Sequence, residues 1–250
     1  MIPFLAPYFP GEWRSHGESL RLGPAGGPAA RALLDDPGRL RQTLEHYRAR
    51  QWPGADARAA ASAWSLHYLW ALLAPAVAAA SGARRVLPCA AATMRLALDG
   101  VNAPVAFTVA DLGRDRPDAD TWERYGALVW EHLRPLADGI HAASRLPRKV
   151  VWAGAVRYLE ALFDALHAMG CDVAADRRHL LQTASWARDG RDNPLCLPVR
   201  TPPAHAQGPV YRECCLYYLL PGQTQCMACP LARQSAPRVA TRVKEISPLP

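Results

Sequence analysis

Ala59-Ala60-Ala61-Ser62-Ala63-Trp64-Ser65-Leu66-His67-Tyr68-Leu69-Trp70-Ala71-Leu72-Leu73 opens a run that reaches Ala83 without an Asp, Glu, Lys or Arg. A run of that length raises a membrane span, which asks for about 20 predominantly apolar residues. Its composition points elsewhere. Alanine dominates, Ser62, Ser65, His67, Tyr68 and Ser81 are spread through it, and Pro75 falls in its second half. The run reads as the buried helix of a soluble, mostly helical domain.

Upstream, residues 1 to about 27 are rich in Pro and Gly and read as loop. Gly23-Pro24-Ala25-Gly26-Gly27-Pro28 lacks the strand before and helix after that a phosphate-binding loop needs. Helices are predicted over 29–35 and 37–51, the second stopped by Trp52-Pro53-Gly54. Downstream the period changes. Met94, Leu96 and Leu98 alternate with Arg95 and Ala97, Asp99-Gly100 marks a turn, and Val105, Phe107 and Val109 alternate again. That predicts a β-hairpin near 93–110, with a loop longer than two residues and with Pro104 on an edge strand.

The second half returns to helices. Asp120-Thr121-Trp122-Glu123 resembles a capping box opening a helix through about Asp138. Pro147 starts another, with Trp152, Val156, Leu159, Phe163 and Leu166 on its apolar stripe and Gly170 as its stop. A shorter helix is expected over 174–187, then an irregular connection across 189–205. The fold class is α+β: a mostly helical body over 1–205 with one small antiparallel β element, and a C-terminal metal-binding segment over 206–235 packed on it as part of one domain. Residues 236–250 read as a loosely ordered tail.

With 250 residues, half of them apolar, and eight tryptophans, the chain is long enough to bury a substantial core. The formal charge of +7 comes almost wholly from arginine, since Lys149 and Lys244 are the only lysines. No basic run with interleaved aromatics marks a nucleic-acid binder, and the arginines read as a solvated surface. The first residues show neither a basic leader nor a long apolar stretch, so export is not expected and a reducing cytoplasm is. There is no Gly-x-Ser-x-Gly elbow, His-Glu-x-x-His, Walker loop or Gly-x-Gly-x-x-Gly, and the histidines form no metal-spaced pair. Asp35-Asp36 and the Asp118/Asp120 pair fall at helix ends, where capping explains them. His67, between Trp64 and Trp70, reads as a hydrogen-bonded core histidine, with a place in a ligand pocket as the alternative. His205 reads as a loop residue, with the alternative of a hydrogen bond to a metal-bound sulfur.

Seven cysteines are present, and four of them form one pattern: Cys214-Cys215, ten residues, then Cys226-Met227-Ala228-Cys229. In a reducing compartment a thiol cluster serves metal ligation better than disulfides. Four thiolates suit an iron–sulfur cluster or a structural zinc ion. Zinc sites take their ligands as two separated hooks, which an adjacent pair fits poorly. Cys214 and Cys215 must sit at a bend to converge, and a di-iron cluster with two metal atoms relaxes that demand. Cys89, Cys171 and Cys196 stand alone and read as small buried hydrophobes.

The pattern, set in Cys-Cys-Leu-Tyr-Tyr and closed by Cys-Pro-Leu-Ala-Arg, resembles the FhuF-like ferric siderophore reductases. Trp64 to Trp70 and Val151-Trp152-Ala153-Gly154 are similar to two further family segments, the second departing from the family's Trp-Gly at Ala153. The resemblance covers one whole domain and implies a cytoplasmic oxidoreductase. It implies a [2Fe-2S] cluster on Cys214, Cys215, Cys226 and Cys229, which passes one electron to ferric iron in a siderophore, of the hydroxamate type, so that ferrous iron is released. The implied partners are the ferric siderophore and an electron donor of reduced ferredoxin or flavoprotein type, with no nucleic acid and no membrane span, peripheral membrane contact staying open. Around the cysteines, Arg212, Tyr217, Tyr218 and Arg233 are the candidates for tuning the centre or docking a partner. From Arg200 onward the net charge is +4, which stabilises an anionic centre. Two other readings stand beside it: a non-catalytic iron–sulfur electron carrier in siderophore metabolism, and a structural zinc-binding interaction protein.

Overall fold

The computed structural model describes residues 1–24, 28–186, 188–202 and 210–231. About 52% of the chain is helical, with small sheets of two and three strands, so the α+β reading holds. The elements run α1 (Arg14–Gly17), β1 (Leu20–Leu22), α2 (Ala30–Leu34), α3 (Pro37–Gln51), α4 (Ala57–Val77), β2 (Arg85–Val86), β3 (Arg95–Leu98), β4 (Pro104–Val109), β5 (Arg114–Asp115), α5 (Thr121–Leu128), α6 (Arg134–Ser144), α7 (Arg148–Ala168) and α8 (Ala174–Leu181). Helix α4 continues through a wider π turn, Ala78–Gly82, and a second π turn, Val129–Leu133, joins α5 to α6.

Helix α4 is the axis of the core. Asp56 caps it by accepting from the amides of Arg58 and Ala59. The stretch Ala57–Gly82 is apolar and long enough to cross a membrane, yet 94% of its most apolar window is buried inside the fold. Small residues make that burial possible on most of the helix surface, His67 excepted, because alanine lets neighbouring helices approach closely. The most extensive packing of α4 is against α7. A Cβ added at Gly154 would stand 3.0 Å from Leu69 Cδ1 and 3.2 Å from Leu66 Cδ2.

Strands β3 and β4 form the expected hairpin. Asp99 Oδ1 accepts from the amides of Val101 and Ala103, and Asn102 takes a left-handed φ of 65°, which closes the longer loop. The edge assignment of Pro104 is corrected. β4 is the central strand, paired antiparallel with β3 and in parallel with β1. Proline is tolerated there because it is the first residue of the strand, beside a register shift at Ala97/Leu98, and pairing with β1 starts only at Phe107. β1 itself lies in the stretch expected to be loop, along with short 3-10 turns at Pro3–Tyr8 and Gly11–Trp13.

The predicted helices over 29–35, 37–51 and from Pro147 match α2, α3 and α7 closely, and Gly170 ends the last with a φ of 85°. Asp120 caps α5 by accepting from the Glu123 amide at 2.7 Å. The helical path from there runs on to Ser144, beyond the expected stop at Asp138. The helix expected over 174–187 stops instead at Leu181. Asn193 Nδ2 donates to the carbonyls of His179, Leu180 and Thr183, replacing the continuing helix as the partner of its last turn.

Candidate functional site

The segment from Tyr211 to Leu231 lies over one side of the α4–α7 pair. Leu220 joins the hydrophobic core, with Cys215, Leu216 and Tyr217 partly buried against it. Two charged struts fasten its start. Arg212 donates to Leu197 O at 2.5 Å and to Glu160 Oε1 on α7 at 2.7 Å. Glu213 is held by Arg200 at 3.0 Å and by Lys149, at the start of α7, at 3.4 Å.

Local geometry folds the segment back on itself. The Tyr211 amide donates to Ala228 O at 2.9 Å, tying the residue ahead of the cysteine doublet to the hook. Leu216, next after the doublet, adopts φ 59°, ψ 10°, a left-handed conformation that costs a non-glycine residue about 1–2 kcal/mol. The turn falls one residue after the doublet, not within it. The Leu216 amide points back to Cys214 Sγ at 3.4 Å. A 3-10 turn, Tyr217–Leu219, follows, and the Cys229 amide donates to Cys226 O at 3.0 Å to close the hook.

The result places Cys214 Sγ 3.9 Å from Cys229 Sγ. A disulfide needs about 2.05 Å between sulfurs. Two thiolates on one tetrahedral metal atom with bonds of about 2.3 Å stand about 3.8 Å apart, so this pair suits a shared metal rather than a disulfide. Among the described residues no three His, Cys, Asp or Glu side chains converge tightly enough to grip one ion. The closest sulfur approach is therefore that of a pair, one cysteine from the doublet with one from the hook.

Protonation follows from the crowding. Burial first, then the nearby thiols of Cys229 and Cys215, push the Cys214 thiol up to about 12 against the pull of the Leu216 amide. Desolvation, followed by Cys215 and Cys229, pushes Cys226 up to about 11, although that residue is exposed overall and Arg157 pulls the other way. Crowded sulfurs of this kind ionise when a cation is present to balance them.

Of the flanking candidates, Arg212 is a structural strut whose charge is paired with Glu160. Tyr217 packs edge-on against Trp52, with ring centroids 5.9 Å apart. Tyr218 is half-buried. Arg233 and His205 lie outside the described residues. His67 is exposed, with its ring edge-on to Tyr47, and is not the core histidine expected. The core histidine is His132, whose two ring nitrogens are bonded to Tyr68 Oη and Cys89 O, both at 2.7 Å. Cys89 is buried, and Cys171 and Cys196 are half-buried.

Sequence reading missed the contributions of α7. The Arg157 guanidinium stands 4.2 Å over the Tyr211 ring, and its charge favours the thiolate of Cys226 in the hook. Next to it, Tyr158 is 3% exposed, packs on Trp70 of α4 at 5.3 Å, and its hydroxyl has no hydrogen-bond partner among the described residues. Burial raises the Tyr158 hydroxyl pKa, Arg157 lowers it, and the charges of Cys215, Tyr211 and Tyr217 raise it further. Both residues sit inside a helix some 55 positions before the doublet, and only the fold reveals the adjacency.

A helical domain that carries a bent four-cysteine loop on its central helix pair is the class the structure defines. The family model described as ferric iron reductase FhuF-like transporter matches residues 62–208, more than half of the chain, and the chain belongs to that family. The matched stretch begins in α4 and ends before Tyr211, so the cysteine loop lies beyond it. No curated protein matches the chain.

Proposed function

We propose that the loop from Tyr211 to Pro230 holds a [2Fe-2S] cluster on Cys214, Cys215, Cys226 and Cys229. On this reading the protein is a cytoplasmic reductase that passes one electron to the ferric iron of a siderophore, of the hydroxamate type. The observation that carries it is the 3.9 Å approach of Cys214 and Cys229 across a loop bent at Leu216. Membership of a ferric iron reductase family supplies the substrate class. Structural zinc is less well served, because an adjacent doublet splits more naturally between two metal atoms than it closes on one.

Bound there, the cluster supplies a one-electron reductant. Ferric iron in a siderophore is gripped by hard anionic oxygens, and the ferrous ion, carrying less charge, binds them more weakly and exchanges faster. No general acid or nucleophile is required of the protein. Its residues set the surroundings instead. The Leu216 amide offers a hydrogen bond to the Cys214 sulfur, and Tyr217 and Trp52 keep water from the core side. Arg157 adds positive charge at the hook. On the outer side Cys226 is exposed and Met227 is 99% exposed, which leaves a short path to a docked ferric complex or to a donor of ferredoxin or flavoprotein type. Thiol ligands are kept reduced in the cytoplasm.

The test is direct. Purified protein is expected to be red-brown and, after reduction by dithionite, to give the electron paramagnetic resonance signal of one [2Fe-2S]⁺ centre per chain. Added ferric hydroxamate should re-oxidise it with release of ferrous iron. Colourless protein containing one zinc per chain would replace this reading with the structural one. A coloured protein indifferent to every siderophore would make it an electron carrier.

A further inference from the structure

We infer that Tyr158 is a positioning residue of the sulfur centre, its hydroxyl donating a hydrogen bond to the Cys215 side of the cysteine loop. This rests on the cluster reading above and adds a residue from the helical body to it. A buried phenol without a partner forfeits about 1–3 kcal/mol, so an unpaired one next to a functional loop calls for an acceptor. Of the other unpartnered buried groups, Arg95 and Arg124 bond through their other guanidinium nitrogens, whereas Ser62 Oγ and Trp130 Nε1 are likewise without a partner among the described residues.

Tyr158 differs in where it sits. Its neighbour Arg157 covers Tyr211, and Glu160, two residues on, holds Arg212, so this turn of α7 anchors the residues that lead into the doublet. Trp70 fixes the ring from the α4 side. Cys215 is partly buried against the same core. A metal-bound thiolate is an anionic acceptor, which a neutral hydroxyl suits well: burying a second charge beside it would cost far more. Hydrogen bonds to cluster sulfurs offset their negative charge and favour the reduced state. The phenol thereby joins the rigid helix pair to the redox properties of the loop.

The experiment compares wild type with Tyr158→Phe, which keeps the ring and removes only the hydroxyl. Redox titration followed by electron paramagnetic resonance should show the midpoint potential of the variant lowered, on the order of tenfold in the one-electron equilibrium, or 59 mV. In heavy water, reduced wild type should show a deuteron coupling that Tyr158→Phe lacks. Placing 3-fluorotyrosine at 158, a more acidic donor, should move the potential upward, and this arm decides if the phenylalanine variant assembles poorly. Equal potentials across all three proteins with unchanged deuteron coupling overturn the inference while leaving the cluster intact. Absence of any cluster signal in the wild type would instead overturn the reading of the loop, and this inference with it.

Discussion

Two polar centres in this protein are built in opposite ways. In the body, Asp176 is 1% exposed, yet its carboxylate receives Arg124 Nη2 at 2.6 Å, Thr121 Oγ1 at 2.5 Å and Ser81 Oγ at 2.7 Å. Ser81 in turn is bonded to Tyr125 Oη at 2.6 Å, and Arg124 also donates to Ala119 O. The network joins α4's π turn, α5 and α8 with protein groups alone. At the cysteine loop burial, and then the neighbouring thiols, push Cys214 toward protonation, Leu216 holds a left-handed backbone, and the Tyr158 hydroxyl has no partner among the described residues. In the first arrangement the chain itself satisfies the carboxylate, and Arg124 Nε is the one network atom without a partner among the described residues. The second keeps thiols and a phenol without comparable partners among the described residues, and strain held at such a loop is what functional sites accumulate.

The widest separation of the two centres comes from cysteine replacement. Cys229→Ser removes one member of the 3.9 Å pair and is expected to abolish or badly distort the visible spectrum, whereas Cys171→Ser and Cys196→Ser keep it. Absorbance of the three purified variants checks this, and loss of colour at Cys196 would reassign the ligands. Next in size, Asp176→Ala strands Arg124 in the core. Removing one partner of a buried ion pair costs about 3–5 kcal/mol, read as a drop in the denaturation midpoint. The fold should weaken before the loop does. If urea unfolding of Asp176→Ala matched the wild type, the network would not carry the body as argued.

How much of this the chain declares beforehand depends on the range over which the signal acts. Helix α4 was legible because an uncharged alanine-rich run with scattered serines has few other places to go, and the hairpin because alternation and Asp99-Gly100 are local. The cysteine doublet and hook were legible as a four-cysteine motif, since that follows from spacing along the chain. β1 was not, because three residues of strand gain their identity only from pairing with β4, some 85 positions away. The end of α8 was set by Asn193, outside the helix itself. Arg157 and Tyr158 carry no local mark either: on the sequence they are ordinary members of an amphipathic helix, and the turn that places them under the doublet is tertiary.

The body also has a built-in pH response. His132 is fully enclosed, and burial lowers its pKa from 6.5 to about 4 even though Cys89 O, which accepts from Nδ1, pulls upward. Because the carbonyl takes the Nδ1 proton, Nε2 is the acceptor for the Tyr68 hydroxyl, and the ring is neutral. The unfolded chain binds this proton below about pH 6.5 and the folded chain only near 4. Stability is therefore full above 6.5 and declines as pH falls toward 4, by about 3 kcal/mol for this one group. Urea denaturation at pH 7.5 and pH 4.5 measures it, and His132→Gln should flatten the dependence. An equally steep fall in that variant would move the origin to the carboxylates.

The smallest effect expected lies where body and loop meet. Arg157→Gln withdraws the guanidinium from the Tyr211 ring, a cation–π contact at a partly exposed site worth about 0.5–1 kcal/mol. Melting should therefore change little. The same charge is the one that opposes the upward shift at Cys226, so its loss should lower the midpoint potential of the loaded protein. Added salt should shrink the difference between variant and wild type, since a half-exposed charge is screened over about 10 Å at 0.1 M. The Tyr158 hydroxyl, being buried, should be indifferent to salt. A salt-sensitive potential difference at 157 beside a salt-insensitive one at 158 would show that two consecutive residues of α7 tune the centre by different physics. Identical salt responses would show instead that both act through a shift of the loop as a whole.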